Sequence, residues 1–150
     1  MKRQNGFSMI ELMMVVGIIA LLAMLLFPML AAARRSANES SAIGTLKALA
    51  SAEFTYASRN SQKYGTMAQL FAGSYVDNRF SAPGIVSGFT YSENQPIPSG
   101  PTPYTAPDGF GIKAIHVAGS ADFDFEIGWD GVIRYGPSNP GGSEGAPVGK

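Results

Sequence analysis

Residues 6–33 read GFSMIELMMVVGIIALLAMLLFPMLAAA, and from Leu12 to Ala33 no charged residue occurs across 22 positions. A bilayer core of about 30 Å needs roughly 20 apolar residues in helical form. The run is therefore long enough to cross a membrane. Gly17 and Pro28 are poor choices inside a soluble helix but are tolerated in membrane helices. A secretory signal would have a shorter apolar core, although Ala31-Ala32-Ala33 imitates a small-residue cleavage site. A plain anchor accounts for the length but not for Glu11. A carboxylate inside a span costs about 2.5 kcal/mol or more at mid-helix, less near an end, and marks a functional position by default.

The residues before the run sharpen the question. Lys2-Arg3-Gln4-Asn5-Gly6, then Phe7-Ser8-Met9-Ile10-Glu11, then the apolar segment, resemble the type IV pilin and type II secretion pseudopilin family. That family has a short basic leader ending in Gly, then Phe, then Glu as the fifth residue of the trimmed chain. Pro28 falls where many members carry a proline. The family's commonest wording after Phe is Thr-Leu-Ile-Glu, and Ser8 and Met9 are mild departures from it. The resemblance covers residues 1 to about 35.

The resemblance implies that a membrane-embedded prepilin peptidase cuts between Gly6 and Phe7 and that the new Phe7 amine is N-methylated. Gly6 suits a cut site because a residue without a side chain lets another backbone approach closely. Lys2 and Arg3 favour a cytoplasmic leader, while Arg34 and Arg35 beyond the span weaken that bias. Losing the leader leaves nine basic and eleven acidic side chains. The resemblance also implies a partner for Glu11, the cationic Phe7 amine of a neighbouring subunit. An unpaired carboxylate in a low-dielectric filament core costs far more than a paired one, so the pair would act as a register device. The competing readings are a contact within one subunit, or an acid held for peptidase recognition alone.

Beyond the span the pattern becomes amphipathic. Ile43, Leu46, Ala50, Phe54 and Ala57 recur at steps of three and four, with Arg34, Arg35, Asn38, Glu39 and Lys47 on polar faces. One helix is expected from about Phe7 to Arg59, roughly 80 Å at 1.5 Å per residue. Gly17, Pro28 and Gly44 are its candidate soft points. Pro28 removes a helix hydrogen bond, giving either a local break or a simple bend. The front half is apolar all round and must sit in lipid or among copies of itself.

The remainder is rich in turns. A short helix is expected between Ser61 and Asn78, with Thr66 as N-cap, Met67, Leu70 and Phe71 as an apolar patch, and Gly73 as its stop. The stretch YGTMAQLFAGSYVD (64–77) is similar to a connector in several pilin-like proteins. Strands are expected at Gly88–Glu93, Gly109–Ala118, Asp122–Trp129 and Val132–Tyr135, with Asp130-Gly131 as a two-residue turn. Gln95–Asp108, with five prolines, is expected to be loop. In the clearest strand, Phe123, Phe125, Ile127 and Trp129 would face the core. Asp122, Asp124 and Glu126 would form the solvated face.

Composition excludes several chemistries. Charge is balanced at eleven basic and eleven acidic residues, and there is no cysteine for a disulfide, a thiol nucleophile or a cysteine-bound metal. Nucleic-acid binding by bulk electrostatics is not expected, since Lys63, Arg79, Lys113, Arg134 and Lys150 are scattered. His116 is the only histidine, which leaves no material for a histidine triad or a histidine-rich zinc site. Asp122, Asp124, Glu126 and Asp130 are weak calcium candidates, because hard cations want several oxygens. They lack the tight spacing of a calcium loop. Asn38-Glu39-Ser40 matches a glycosylation sequon, but on an expected helix it is taken as accidental. No constellation supports catalysis, and no cofactor is expected.

The fold expected is α+β and pilin-like, a long N-terminal helix packed on a small antiparallel sheet. The organisation expected is a leader (1–6), a membrane-spanning and filament-core helix (7–35), an amphipathic helix half with a sheet domain (36–135), and a flexible tail (136–150). The function implied by the resemblance is a non-enzymatic structural subunit of a type IV pilus. Gly6 and Phe7 serve processing; Phe7, Glu11 and Pro28 serve assembly. Alternatives are the major pseudopilin of type II secretion, or a minor tip pilin that binds DNA or a surface. Implied partners are copies of itself and other pilins, prepilin peptidase, the inner-membrane platform and ATPase machinery, and lipid before assembly. The expected location is the inner membrane as a single-pass protein, then an extracellular or periplasmic filament.

Overall fold

The computed structural model describes residues 7–80, 84–95, 102–137 and 146–147. The leader (1–6), the prolines Pro96, Pro98 and Pro101, and most of the expected tail lie outside the described residues. The chain divides into two units, Met1–Arg34 and Arg35–Lys150. Helix α1 (Met9–Arg59) contributes to both.

The first unit is helical from Met9 onward, unbroken through Gly17 and Pro28. A local break at Pro28 is therefore not seen in the single chain. Only Ala23 among its described residues is even partly covered; Phe7 is 77% exposed and Phe27 70%. So many apolar side chains left bare signal a surface meant for lipid or for other chains. Length and composition make this helix able to cross a membrane.

The second unit is a meander of six antiparallel strands in sequence order. They are β1 (Ile85–Val86), β2 (Phe89–Ser92), β3 (Gly111–His116), β4 (Phe123–Gly128), β5 (Ile133–Pro137) and β6 (Ala146–Pro147). The α+β arrangement of long helix and small antiparallel sheet is thus present. Helix residues Ala42, Leu46, Leu49 and Ala50 meet Phe89, Ile112, Ala114, Phe125, Ile127 and Ile133 in one core. Phe89, Leu46 and Ala114 have no exposed surface at all.

The stripe that α1 buries is Ala42, Leu46, Leu49, Ala50, Ala52, Glu53 and Ala57. It agrees with the expected stripe at Leu46, Ala50 and Ala57 but takes Glu53 inward in place of Phe54. Glu53 is 2% exposed and Phe54 is 41% exposed. Phe54 packs instead at the margin, edge-on to Tyr64 and Phe110 with ring centroids 6.2 and 5.7 Å away.

Helix α2 (Met67–Ala72) starts at Thr66, whose hydroxyl accepts from Gln69 N while the Gln69 side chain accepts from Thr66 N. This reciprocal capping box satisfies two otherwise orphaned donors. Met67 and Leu70 are buried as expected; Phe71 is 40% exposed and leaves the patch.

The hairpin after β4 also differs. Gly131 N donates to Gly128 O at 2.9 Å, so the turn centres on Trp129 and Asp130, and Gly131 follows with φ +70°. Trp129 therefore stands in the turn and is 37% exposed rather than in the core; Phe123 at the other strand end is also 37% exposed. β5 continues to Pro137, and Ala146 pairs with Tyr135. Part of the segment assigned to the flexible tail (136–150) thus belongs to the sheet.

The first turns of α1 in this unit are latched to the β3–β4 connection. Asn38 Nδ2 donates to Ser120 O at 2.8 Å, Asp122 N donates to Glu39 Oε1 at 2.9 Å, and Arg35 pairs with Asp122 at 3.1 Å. The Asn38 amide is thus engaged within the fold. Gly88 permits the approach: its φ is +79°, and a Cβ there would lie 2.7 Å from that of Ser120.

Candidate assembly and processing site

Ser8 begins α1, since its carbonyl accepts from Leu12 N at 3.2 Å. Glu11 is then the third helical residue, and its Oε2 accepts from Ser8 N at 2.9 Å. This is the returning half of a capping box, for which Ser-x-x-Glu is the sequence signature. The signature was legible in Ser8-Met9-Ile10-Glu11 and was missed. Within one chain, then, Glu11 plays a structural role by satisfying a free N–H at the helix entrance. Ser8 N remains an amide after a cut at Gly6-Phe7, so this contact is compatible with the trimmed chain. Phe7 is described and highly exposed; Gly6 lies outside the described residues.

The acids of the sheet do not converge. Asp122 pairs with Arg35, and Asp124 accepts at 2.8 Å from His116 N and lies 2.8 Å from His116 Nδ1. Asp130 pairs with Arg134 at 2.6 Å. Glu126 corrects the expectation of a solvated acidic face, because it has no exposed surface. Its register partners are Lys113 on β3 and Arg134 on β5. Lys113 Nζ is 3.7 Å from its Oε2. An alternating acid can be buried when opposite charges face it across the ladder. Among the described residues no three His, Cys, Asp or Glu side chains gather as a cation site.

The polar junction that sequence reasoning missed lies around Glu53. Its Oε2 accepts from Gly65 N at 3.0 Å, just before α2, and Glu93 after the end of β2 accepts from Met67 N. Two carboxylates thus fasten the lead-in of α2 from two directions. Burial pushes the Glu53 carboxyl up to about 7; the Gly65 N–H bond works against this, and the Glu93 charge adds to it. The Tyr64 phenol is also raised, by burial and then by Glu53. Gly65 has no room for a side chain, since a Cβ would lie 2.7 Å from Leu70 Cδ1 and 3.0 Å from Tyr56 Cε1. The spacing of Glu53 from Leu46, Leu49, Ala50 and Ala57 was the available signal, but hydropathy alone favoured its neighbour.

Residues 1–27 match the family model of the prokaryotic N-terminal methylation motif. This motif is the hallmark of type IV pilin and pseudopilin prepilin leaders, and it implies processing by prepilin peptidase and assembly with other pilins. It supports a type IV pilin-like or pseudopilin protein and, with the long apolar helix, is consistent with a membrane-anchored pilin. No curated protein and no solved structure matches the chain.

Proposed function

We propose, taking that motif as the premise, that this chain is a non-catalytic structural subunit that polymerises into a type IV pilus. Prepilin peptidase cuts between Gly6 and Phe7, and the trimmed chains then join through their N-terminal helices. The observation that carries the proposal is the bare apolar surface of α1 from Met9 to Leu30, with one carboxylate at its entrance. Lipid covers such a surface before assembly, and neighbouring helices cover it afterwards. Pro28 offers a point where the helix can adapt, because its ring forbids one backbone hydrogen bond. The inner-membrane platform and its ATPase supply the work of extrusion.

The Phe7 amine created by the cut is the proposed intersubunit partner of Glu11. The contact with Ser8 N uses one carboxylate oxygen, Oε2, which leaves Oε1 to meet a neighbouring cation. The cap and the register device are therefore compatible roles for one side chain.

A compact sheet unit in a chain without cysteine also fits the major pseudopilin of type II secretion. Shearing cells and examining the released material separates the two. Long surface fibres containing this chain are expected for the pilus. Loss of protein secretion on deletion of the chain, with no fibres released, would reassign it to the secretion apparatus.

A further inference from the structure

The end of α1 and the segment leading into α2 border an open crevice of about 620 Å³. That volume falls in the roughly 300–1,000 Å³ range of small-ligand sites. Its charges are unusual for this chain. In the sheet unit Arg35, Arg79, Lys113 and Arg134 each have a carboxylate partner. Lys47, Arg59 and Lys63 have none among the described residues, and both Arg59 and Lys63 line the crevice. Among the described residues no Asp or Glu lines it. Two unneutralised cations facing one hollow, in a chain with no basic excess, form a local positive field.

The rest of the lining suits a sugar. Tyr56 and Tyr64 supply aromatic surface, and Asn60 and Ser61 supply polar groups. Gln69 uses its carbonyl oxygen to cap α2, which leaves its amide N–H groups free to donate. The Arg59 guanidinium lies 5.7 Å from the Tyr75 ring centroid, which steadies it without neutralising it. Two cations beside aromatic rings and amide and hydroxyl groups describe a charged saccharide, whose carboxylate, ring face and hydroxyls each meet a matching group, whereas an acidic peptide would use the cations alone.

We propose that this crevice binds a carboxylate-bearing saccharide, with Arg59 and Lys63 engaging the carboxylate and Tyr56 and Tyr64 bordering the sugar ring. The proposal stands whether the chain acts as a filament subunit or as an anchored monomer. The bland alternative is that the two cations only complement the carbonyl end of α1.

The test uses the full-length chain in a polyoxyethylene detergent, which carries no sugar, with tri-galacturonate titrated in and binding followed by calorimetry. Saturable binding is expected, weakened at least tenfold in the double variant Arg59→Gln/Lys63→Gln and unchanged in Lys47→Gln. The charge-preserving exchange Arg59→Lys/Lys63→Arg should retain most of the binding, which shows that the loss follows charge and not misfolding. Neutral galactotriose should bind at least tenfold more weakly than tri-galacturonate. Any of four results overturns the proposal: no saturable binding, equal binding of the neutral sugar, equal weakening by Lys47→Gln, or penta-glutamate binding as tightly as the saccharide.

Discussion

Glu11→Gln is expected to insert into the membrane and to be cut normally, and still to fail to build filaments. Glutamine can serve the capping box in place of glutamate, so this variant keeps the Ser8 N–H satisfied and α1 intact at its entrance. What it removes is the negative charge. In a filament the trimmed Phe7 amine would then be buried without a counter-ion. Breaking a buried pair by removing one partner costs about 3–5 kcal/mol. A loss of that size per added subunit raises the concentration needed for growth by roughly 150- to 4,000-fold. Glu11→Ala loses the cap as well and should do no better. Quantifying sheared filaments against membrane-held subunit measures the effect. Filaments at wild-type level from Glu11→Gln would show that the cap alone explains Glu11.

The second large effect concerns stability against pH. Glu53 has its carboxyl raised from an ordinary 4.5 to about 7 in the folded chain. A group raised on folding favours the folded state while protonated. Its contribution is fully present below about pH 4.5 and is lost as pH climbs through 7. The difference between those limits is about 3 kcal/mol. Glu53→Gln removes this dependence, since glutamine is neutral at every pH and its carbonyl oxygen can still accept from Gly65 N. Urea unfolding of the full chain in micelles should show the variant about 2–3 kcal/mol more stable than wild type at pH 8 and equal to it near pH 4.5. Taking the difference between the two proteins cancels titrations elsewhere. Glu93→Gln should reduce the effect in part, because the Glu93 charge adds to the shift. Identical pH slopes in wild type and Glu53→Gln would contradict this account of the junction.

Much of the fold was legible because its signals were redundant. The charge-free run and the stripe beyond it both required one helix, and α1 ends at Arg59 as expected. Thr66 and Gly73 bracket α2 as expected, Thr66 because a cap oxygen is a local necessity; Gly73 has an ordinary φ of −82°, and a Cβ there would lie 2.6 Å from Tyr75 Cε2. Two of the failures share one cause: hydropathy does not see partners. Glu53 faces inward and Phe54 outward because a backbone N–H from Gly65 waits inside for a carboxylate. Glu126 is buried because Lys113 and Arg134 flank it in the ladder. Trp129 leaves the core because the turn begins one residue earlier than Asp130-Gly131 suggested. The Glu53 and Glu126 pairings join residues that are apart in sequence, and single-element periodicity carries no record of them, whereas the Trp129 turn is local. The Ser8–Glu11 cap was different: it was fully local and was hidden only by attention to a distant partner.

These two carboxylates divide the molecule's logic. Glu53 holds the sheet unit's helices together, while Glu11 stands where the chain is proposed to meet its neighbours. The crevice beside Arg59 and Lys63 lies on the same unit as Glu53, lined by Tyr56 and Tyr64, which follow that residue in sequence.

The central claim is that a cut after Gly6 creates the cation that Glu11 awaits. The most direct test is the intact mass and N-terminal sequence of the protein recovered from its cells. A chain beginning at Phe7 and carrying one methyl group on its amine is the predicted result. A chain that retains Met1, or that starts elsewhere with an unmodified amine, would contradict it.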